Sequence, residues 1–260
     1  MVKAIFSGKN VAITGASSGL GYALALEFAR QGANLALVAR RIKPLEVLRD
    51  ECEKLGAKVW IGQCDVTQSS DVEQCVASIC HDLGEIDIVV ANAGISNSFQ
   101  VDDFSALKAN EMIDVNVKGV INTIGATLPK MLQKKSGVLV GISSLASYVS
   151  FPQSYVYCGT KAAINAIFNG LRRELHPTNI KVTLVCPGFI RTDMTTRNKF
   201  QMPFLMDVDE AARRIVLGVH KGVAVLNFPR RLRLIMRIIS VLPEAIIRLP
   251  FRGRTDLKGS

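Results

Sequence analysis

Val11-Ala12-Ile13-Thr14-Gly15-Ala16-Ser17-Ser18-Gly19-Leu20-Gly21-Tyr22 is the stretch whose reading decides the fold. A short apolar run, Val11–Thr14, breaks directly into a glycine-rich turn, and apolar side chains at helical spacing follow from Tyr22 to Gln31. Gly15, Gly19 and Gly21, with Ser17, Ser18 and Leu20 between them, let backbone come close to a pyrophosphate. A helix starting here also turns its unpaired N–H groups and the positive end of its dipole towards that anion. A tight strand–helix turn needs glycine in any case, so the turn by itself is weak evidence. The strand before it and the helix after it make a dinucleotide cradle the better reading.

The rest of the chain repeats the same unit. Runs rich in Val, Ile and Leu occur at 35–38, 58–63, 86–90, 138–142, 181–185 and 223–227. Helical spacing fills the intervals at 45–55, 71–83, 111–133, 157–175 and 209–220. Continuous apolar strands alternating with helices predict an α/β fold of Rossmann type, a doubly wound parallel sheet of about seven strands with helices on both faces. Asp207-x-x-Glu210 predicts a capping box on the helix before the last strand. Pro177 is expected to close the long helix that starts at Tyr157. With 260 residues, 48% hydrophobic and 21% charged, the chain fits one such domain. The alternation stops after Phe228, which predicts a single catalytic domain at 1–228 and a basic amphipathic tail at 229–260.

The second strand ends in Val38-Ala39-Arg40-Arg41. An acidic residue there would hydrogen-bond a ribose 2′-hydroxyl and favour NAD. None is present, and a guanidinium offers paired N–H donors to a 2′-phosphate. NADP(H) is therefore the expected cofactor, the alternative being that Arg40 and Arg41 are a solvated pair.

Further along, Tyr157-Cys158-Gly159-Thr160-Lys161 puts Tyr157 and Lys161 on one helical face. A nearby cation favours a phenolate and would turn Tyr157 into a usable acid/base. Such a pair is common by chance, but the strand at 138–142 ends thirteen residues upstream in Ser143-Ser144. There a hydroxyl faces the carboxyl edge of the sheet, where open α/β sheets bind ligands. The competing reading is two serines capping a turn.

Together, Thr14-Gly15-x-x-x-Gly19-x-Gly21, Asn92-Ala93-Gly94, Asn116, Ser144, Tyr157-x-x-x-Lys161 and Pro187-Gly188-x-x-x-Thr192 resemble the short-chain dehydrogenase/reductase family. The motifs keep the family's order and spacing over residues 9–227. The resemblance implies a catalytic set of Asn116, Ser144, Tyr157 and Lys161, with Asn116 holding a water that passes protons to Lys161. It also implies that Asp65 and Val66 sit against the adenine, and that Asn92, Ala93 and Gly94 line the cofactor. Lys161 would bind the nicotinamide ribose beside Tyr157, and Pro187, Gly188, Ile190 and Thr192 would embrace the nicotinamide. Arg40 falls where NADP-preferring members carry a basic residue. A homodimer or homotetramer is the family expectation.

Other residues carry less. Six cysteines (52, 64, 75, 80, 158 and 186) form no C-x-x-C pair and have no histidine cluster beside them, so free thiols in a reducing compartment are expected and metal binding is not. Cys158 is read as packing, Trp60 as core, and His81, His176 and His220 as solvated. The resemblance implies that the stretch after the sixth strand covers the substrate, and Phe189, Met194, Phe200, Met202, Phe204, Leu205 and Met206 suggest an apolar, adaptable lid, with ordinary packing as the alternative.

Eight basic residues against two acidic ones follow Phe228, so +6 of the formal +10 lies in the tail. Arg230, Arg233, Arg237 and Ser240 fall at helical spacing among large aliphatics. No apolar run reaches the roughly 20 residues of a membrane span, and no signal peptide is expected ahead of the first strand. Peripheral membrane contact through 230–249 is expected, with burial against a subunit or the domain as the alternative. Nucleic acid is not expected, since no recognition motif or aromatic platform accompanies the charge. The expected function is NADPH-dependent reduction of an apolar, long-chain or steroid-like ketone by a cytoplasmic enzyme, peripheral at a membrane surface. The alternatives are a soluble reductase of small ketones, with the tail as an oligomer interface, and a non-catalytic NADPH-binding scaffold or sensor.

Overall fold

In the computed structural model, residues 4–196 and 201–247 are described. The strands are β1 (Asn10–Thr14), β2 (Asn34–Ala39), β3 (Val59–Gln63), β4 (Ile88–Ala91), β5 (Gly137–Ile142), β6 (Ile180–Pro187) and β7 (Val225–Phe228). They form one sheet in the order β3-β2-β1-β4-β5-β6-β7, every pair parallel. Ile13 of β1 lies opposite Leu37 on one side and Val90 on the other. Strand order reverses between β1 and β4, and ligands of doubly wound sheets bind at the carboxyl edge of such a switch point.

Both faces of the sheet are covered, which is why the strands read as continuous apolar runs. Val11, Ile13, Ile88 and Val90 enter one core, while Ala12, Val89 and Ala91 enter the other, as the two-residue period of a strand requires. Helices α1 (Gly19–Arg30) and α2 (Ile42–Lys54) bury Leu24, Phe28, Leu45 and Leu48 in the first core. Helix α3 (Ser69–Asp82) buries Val72, Val76 and Ile79 in the second.

The expected helix over 111–133 is three pieces: α4 (Ala106–Ile113), a π-helical segment Asp114–Lys118, and α5 (Gly119–Lys134). Single π turns inside α-helices recur at functional sites, and this one carries Asn116. Helix α6 (Tyr155–Glu174) follows β5, with Pro177 beyond its C-cap Leu175. A one-turn helix, α7 (Asp193–Thr196), follows β6.

Helix α8 (Val208–His220) has Asp207 as its N-cap residue, but the expected capping box does not form. The Asp207 carboxylate accepts from Arg191 Nε at 3.2 Å, and Glu210 pairs with Arg213 and Arg214 at 3.0 and 2.7 Å. Basic partners outcompete the backbone N–H groups for both carboxylates. Trp60 is likewise half-buried rather than core, with its indole N–H donating to Asp82 at 2.9 Å.

After β7 the chain forms α9 (Arg230–Ile239) and a short α10 (Glu244–Ile247). Leu232 and Met236 of α9 join the second core. Among the described residues no helix is long and apolar enough to cross a membrane. Phe200 and the end of the 230–249 segment, 248–249, lie outside the described residues.

Candidate active site

The turn after β1 is shaped by contact with the end of β4. Gly15 has φ +67°, and a Cβ there would stand 2.8 Å from Ala93 Cα, so only glycine fits. The Asn92 side-chain amide donates to the carbonyls of Thr14 at 2.9 Å and Gly15 at 3.3 Å. The Thr14 hydroxyl accepts the backbone N–H groups of Asn92 at 3.1 Å and Ala93 at 3.2 Å. These bonds lock the two strand ends at the switch point.

The first turn of α1 holds no acidic residue, and its N-cap Ser18 makes no side-chain cap. Its hydroxyl instead accepts from Arg41 Nη2 at 3.0 Å, and Ser17 Oγ accepts from the same nitrogen at 3.1 Å. A guanidinium thus sits at the lip of the glycine turn, next to a helix N-terminus suited to phosphate. Arg40 is exposed at the same lip.

From this lip a cleft of about 570 Å³ runs to Tyr157, a size typical of cofactor sites. Every residue expected to contact the cofactor lines it, from Gly15 through Asp65, Val66 and Asn92–Gly94 to Thr192. Asp65 is held by its carboxylate, which accepts from Thr67 N–H at 3.0 Å, and the Val66 carbonyl accepts from Asn122 at 2.8 Å. Glycine cradle, helix N-terminus and a cleft lined from Arg41 to Tyr157 together fit a nicotinamide dinucleotide.

At the far end, Ser144 follows β5 in extended backbone. Its hydroxyl accepts from Ala146 N–H at 3.1 Å, lies 3.5 Å from the Pro187 carbonyl as donor, and lies close enough to the Tyr157 phenol to favour its ionised form. Lys161, one turn along α6 from Tyr157, is 4% exposed. Its ammonium donates to the Ile142 carbonyl at 2.9 Å and lies 5.7 Å from the Tyr157 ring centroid.

Burial dominates the titration of both groups. It pushes Tyr157 up to about 12, with the Ser144 hydrogen bond opposing, and pulls Lys161 down to about 8. The expectation that Lys161 would lower Tyr157 therefore fails in direction. Desolvation of the phenol sets the direction, and the Lys161 ammonium, which gives its hydrogen bond to Ile142, is not among the groups that lower it.

Asn116 does not line the cleft. It is fully buried behind Gly94, where its Oδ1 accepts from Ile95 N–H at 2.7 Å and its amide donates to the Ile95 carbonyl at 2.9 Å and Thr160 Oγ1 at 3.1 Å. Ser143 is also buried, and its hydroxyl donates to the Lys161 carbonyl at 3.0 Å, fastening α6 to β5. Thr14, Ser143 and Thr160 stand within the motifs quoted from sequence, but that their hydroxyls tether backbone leaves no pattern there. Cys64, Ile95, Val115 and Asp193 through Thr195 also line the cleft, with only Met194 among them foreseen.

Cys158 is buried and its thiol is raised by burial, in keeping with a packing role. His81, His176 and His220 are exposed, His81 against Asp82 at 2.7 Å and His220 edge-on to Phe6. In the expected lid, Met206 N–H donates to the Phe189 carbonyl at 3.0 Å and its carbonyl accepts from Arg191 N–H at 2.9 Å. These bonds tie 189–191 to 206, with Met194 and Phe204 exposed between them.

The sheet order and the paired Tyr157 and Lys161 define an α/β oxidoreductase that uses a nicotinamide dinucleotide. The family model for short chain dehydrogenases matches residues 9–202, and the chain belongs to that family. An "Uncharacterized oxidoreductase" of Myxococcus xanthus is 35% identical over 240 residues, 92% of this chain and 95% of that protein. The "11-beta-hydroxysteroid dehydrogenase-like 2" of Arabidopsis thaliana is 36% identical over 247 residues, 92% of this chain and 80% of that protein. Among solved structures, an alcohol dehydrogenase from the archaeon Thermococcus sibiricus, complexed with 5-hydroxy-NADP, superposes with a TM-score of 0.76 at 30% identity, covering 85% of this chain and 94% of the other.

Proposed function

We propose that the chain is an NADP(H)-dependent carbonyl reductase acting on an apolar ketone, with Tyr157 as its acid. The observation that carries the reading is the convergence of the Ser144 hydroxyl, the Tyr157 phenol and the Lys161 ammonium at one end of a dinucleotide-sized cleft. When bound, the nicotinamide supplies hydride to the carbonyl carbon. Ser144 orients the carbonyl oxygen, and Tyr157 delivers the proton to it from a phenol that burial keeps protonated. Lys161 returns a proton to the phenolate, supplied from solvent through a water that Asn116 would hold.

The choice of NADP(H) is supported by Arg41, which spans Ser17 and Ser18, by Arg40 beside it, and by the lack of a carboxylate at the end of β2. An apolar substrate is supported by Phe99, Phe104 and Tyr155, which form a run of aromatic contacts beside Tyr157, and by Met194 in the cleft wall. The hydroxysteroid wording of the Arabidopsis relative points the same way. Exposed Leu107 and Ile113 on α4, with Ile121 and Leu132 on α5, support the proposed homodimer or homotetramer. Free thiols at all six cysteines support a reducing, cytoplasmic setting.

Steady-state kinetics with NADPH and NADH against ketones of increasing chain length test the reading. A higher kcat/KM with NADPH, rising with ketone length, is expected. A preference for NADH, or turnover confined to short polar ketones, would contradict it.

A further inference from the structure

We infer that α9 and the turn after it form a docking face for an anionic lipid surface, set so that the surface meets the substrate end of the cleft. This deepens the reductase reading by naming where its apolar substrate comes from, and it rests on that reading for the substrate alone.

Helix α9 is divided lengthwise. Leu232 and Met236 face inward and are 2% and 9% exposed, held in the second core. Leu234, Ile235, Ile238 and Val241 face outward at 61%, 42%, 51% and 80% exposure. At 100° per residue, Leu234, Ile235 and Ile238 share one sector, while Arg230, Arg233 and Arg237 share the next, with Arg231 among the aliphatics. The helix therefore has a docked face, an exposed aliphatic face and a cationic flank.

Contiguous exposed aliphatics on a folded domain mark a contact surface. The charge beside them selects its kind. From Pro229 to Ile247 the only acidic residue is Glu244, at the far end, against four arginines. A nucleic acid would satisfy the arginines but leave the aliphatic sector in water. An uncharged apolar partner would leave the arginines without counter-charge. An anionic bilayer interface takes both, with the aliphatics in the acyl boundary and the guanidinium groups among the phosphates. Helix α9 has 10 residues, roughly 15 Å, so it lies along such a surface rather than crossing it.

Its position ties docking to catalysis. A Cβ on Gly188 would stand 2.8 Å from Leu232 Cδ2 and 3.0 Å from Pro229 Cδ, so the start of α9 backs the loop that closes the nicotinamide end of the cleft. Arg237 lies close enough to Tyr148 to act on it electrostatically, and Tyr148 caps the turn Leu145–Ser147 that follows Ser144. Helix α9 therefore adjoins both the loop after β6 that carries Gly188 and the turn after β5 that follows Ser144.

The test is co-sedimentation of the full chain with phosphatidylcholine vesicles, with and without phosphatidylserine. Wild type is expected to bind the phosphatidylserine vesicles at least about tenfold more tightly than pure phosphatidylcholine. R230Q/R231Q/R237Q should lose about fivefold per arginine, and L234E/I238E should lose binding to both kinds of vesicle. Reduction of a short soluble ketone by these variants, together with their thermal unfolding, reports whether they remain folded and active. Vesicle binding needs no turnover, so loss of the docking proposal and loss of the reductase reading are separately visible. Wild type that ignores vesicles, or folded variants that bind as wild type does, would overturn the inference. A dimer lost in L234E/I238E with vesicle binding intact would assign the face to a second copy. Preferential capture of wild type by duplex DNA would assign it to nucleic acid, and either result overturns the lipid assignment.

Discussion

The Lys161 ammonium lies 5.7 Å from the ring centroid of Tyr157 yet donates its hydrogen bond to the Ile142 carbonyl at 2.9 Å. The lysine is fixed by the end of β5, and its buried charge is disfavoured, with the pKa falling from 10.5 to about 8. Between those two values the unfolded chain binds more protons at this site than the folded chain. Stability contributed by this position therefore rises with pH through that window, and below pH 8 the burial penalty is present in full. Comparing wild type with K161M isolates the effect. Chemical denaturation should show the difference moving in favour of wild type between pH 8 and 10.5, by on the order of 3 kcal/mol. A difference that stays flat with pH would mean that Lys161 is not desolvated as described.

Ser144 is the one neighbour that lowers the Tyr157 pKa against burial. Replacing it with alanine removes a donor to the carbonyl oxygen as well, so S144A should lower kcat by about a hundredfold with NADPH affinity unchanged. In the alcohol-oxidation direction, where the phenolate is the active form, the limb on which the rate rises with pH should move to higher pH. Unchanged kcat would leave Ser144 as a turn-capping residue only, through its bond to Ala146 N–H.

Arg41 presents a guanidinium nitrogen to Ser17 and Ser18, and Arg40 lines the same lip. Charge-assisted bonds of this kind are each worth about 1.5–3 kcal/mol. R40A/R41A should therefore raise KM for NADPH roughly tenfold to a hundredfold and leave KM for NADH nearly unchanged. Equal effects on both cofactors would show that the arginines act on the shared pyrophosphate.

Much of this was legible in sequence because the governing signals are local. Val11–Thr14 running into Gly15 already implies a strand, a turn and a helix, and burial on both faces makes each strand a solid apolar run. What escaped sequence depends on competition or on the third dimension. The π turn at Asp114–Lys118 adds a residue to a turn without disturbing the apolar spacing, so 111–133 reads as one helix. Asp207 and Glu210 have the right spacing for a capping box, but Arg191, Arg213 and Arg214 claim their carboxylates. The direction of the Tyr157 shift needed the depth of the phenol, which spacing does not report. In the tail, the arginine spacing marked one side of α9, while the docking of Leu232 and Met236 beneath it is set by the shape of the second core.

The most direct test of Tyr157 as the acid is NADPH-dependent reduction of a long-chain ketone by Y157F, with NADPH binding measured on the same protein. Turnover should fall by at least about a thousandfold, since the general acid is lost, while NADPH binds nearly as before. Substantial turnover in a folded, NADPH-binding Y157F would contradict the assignment and require another proton donor in the cleft.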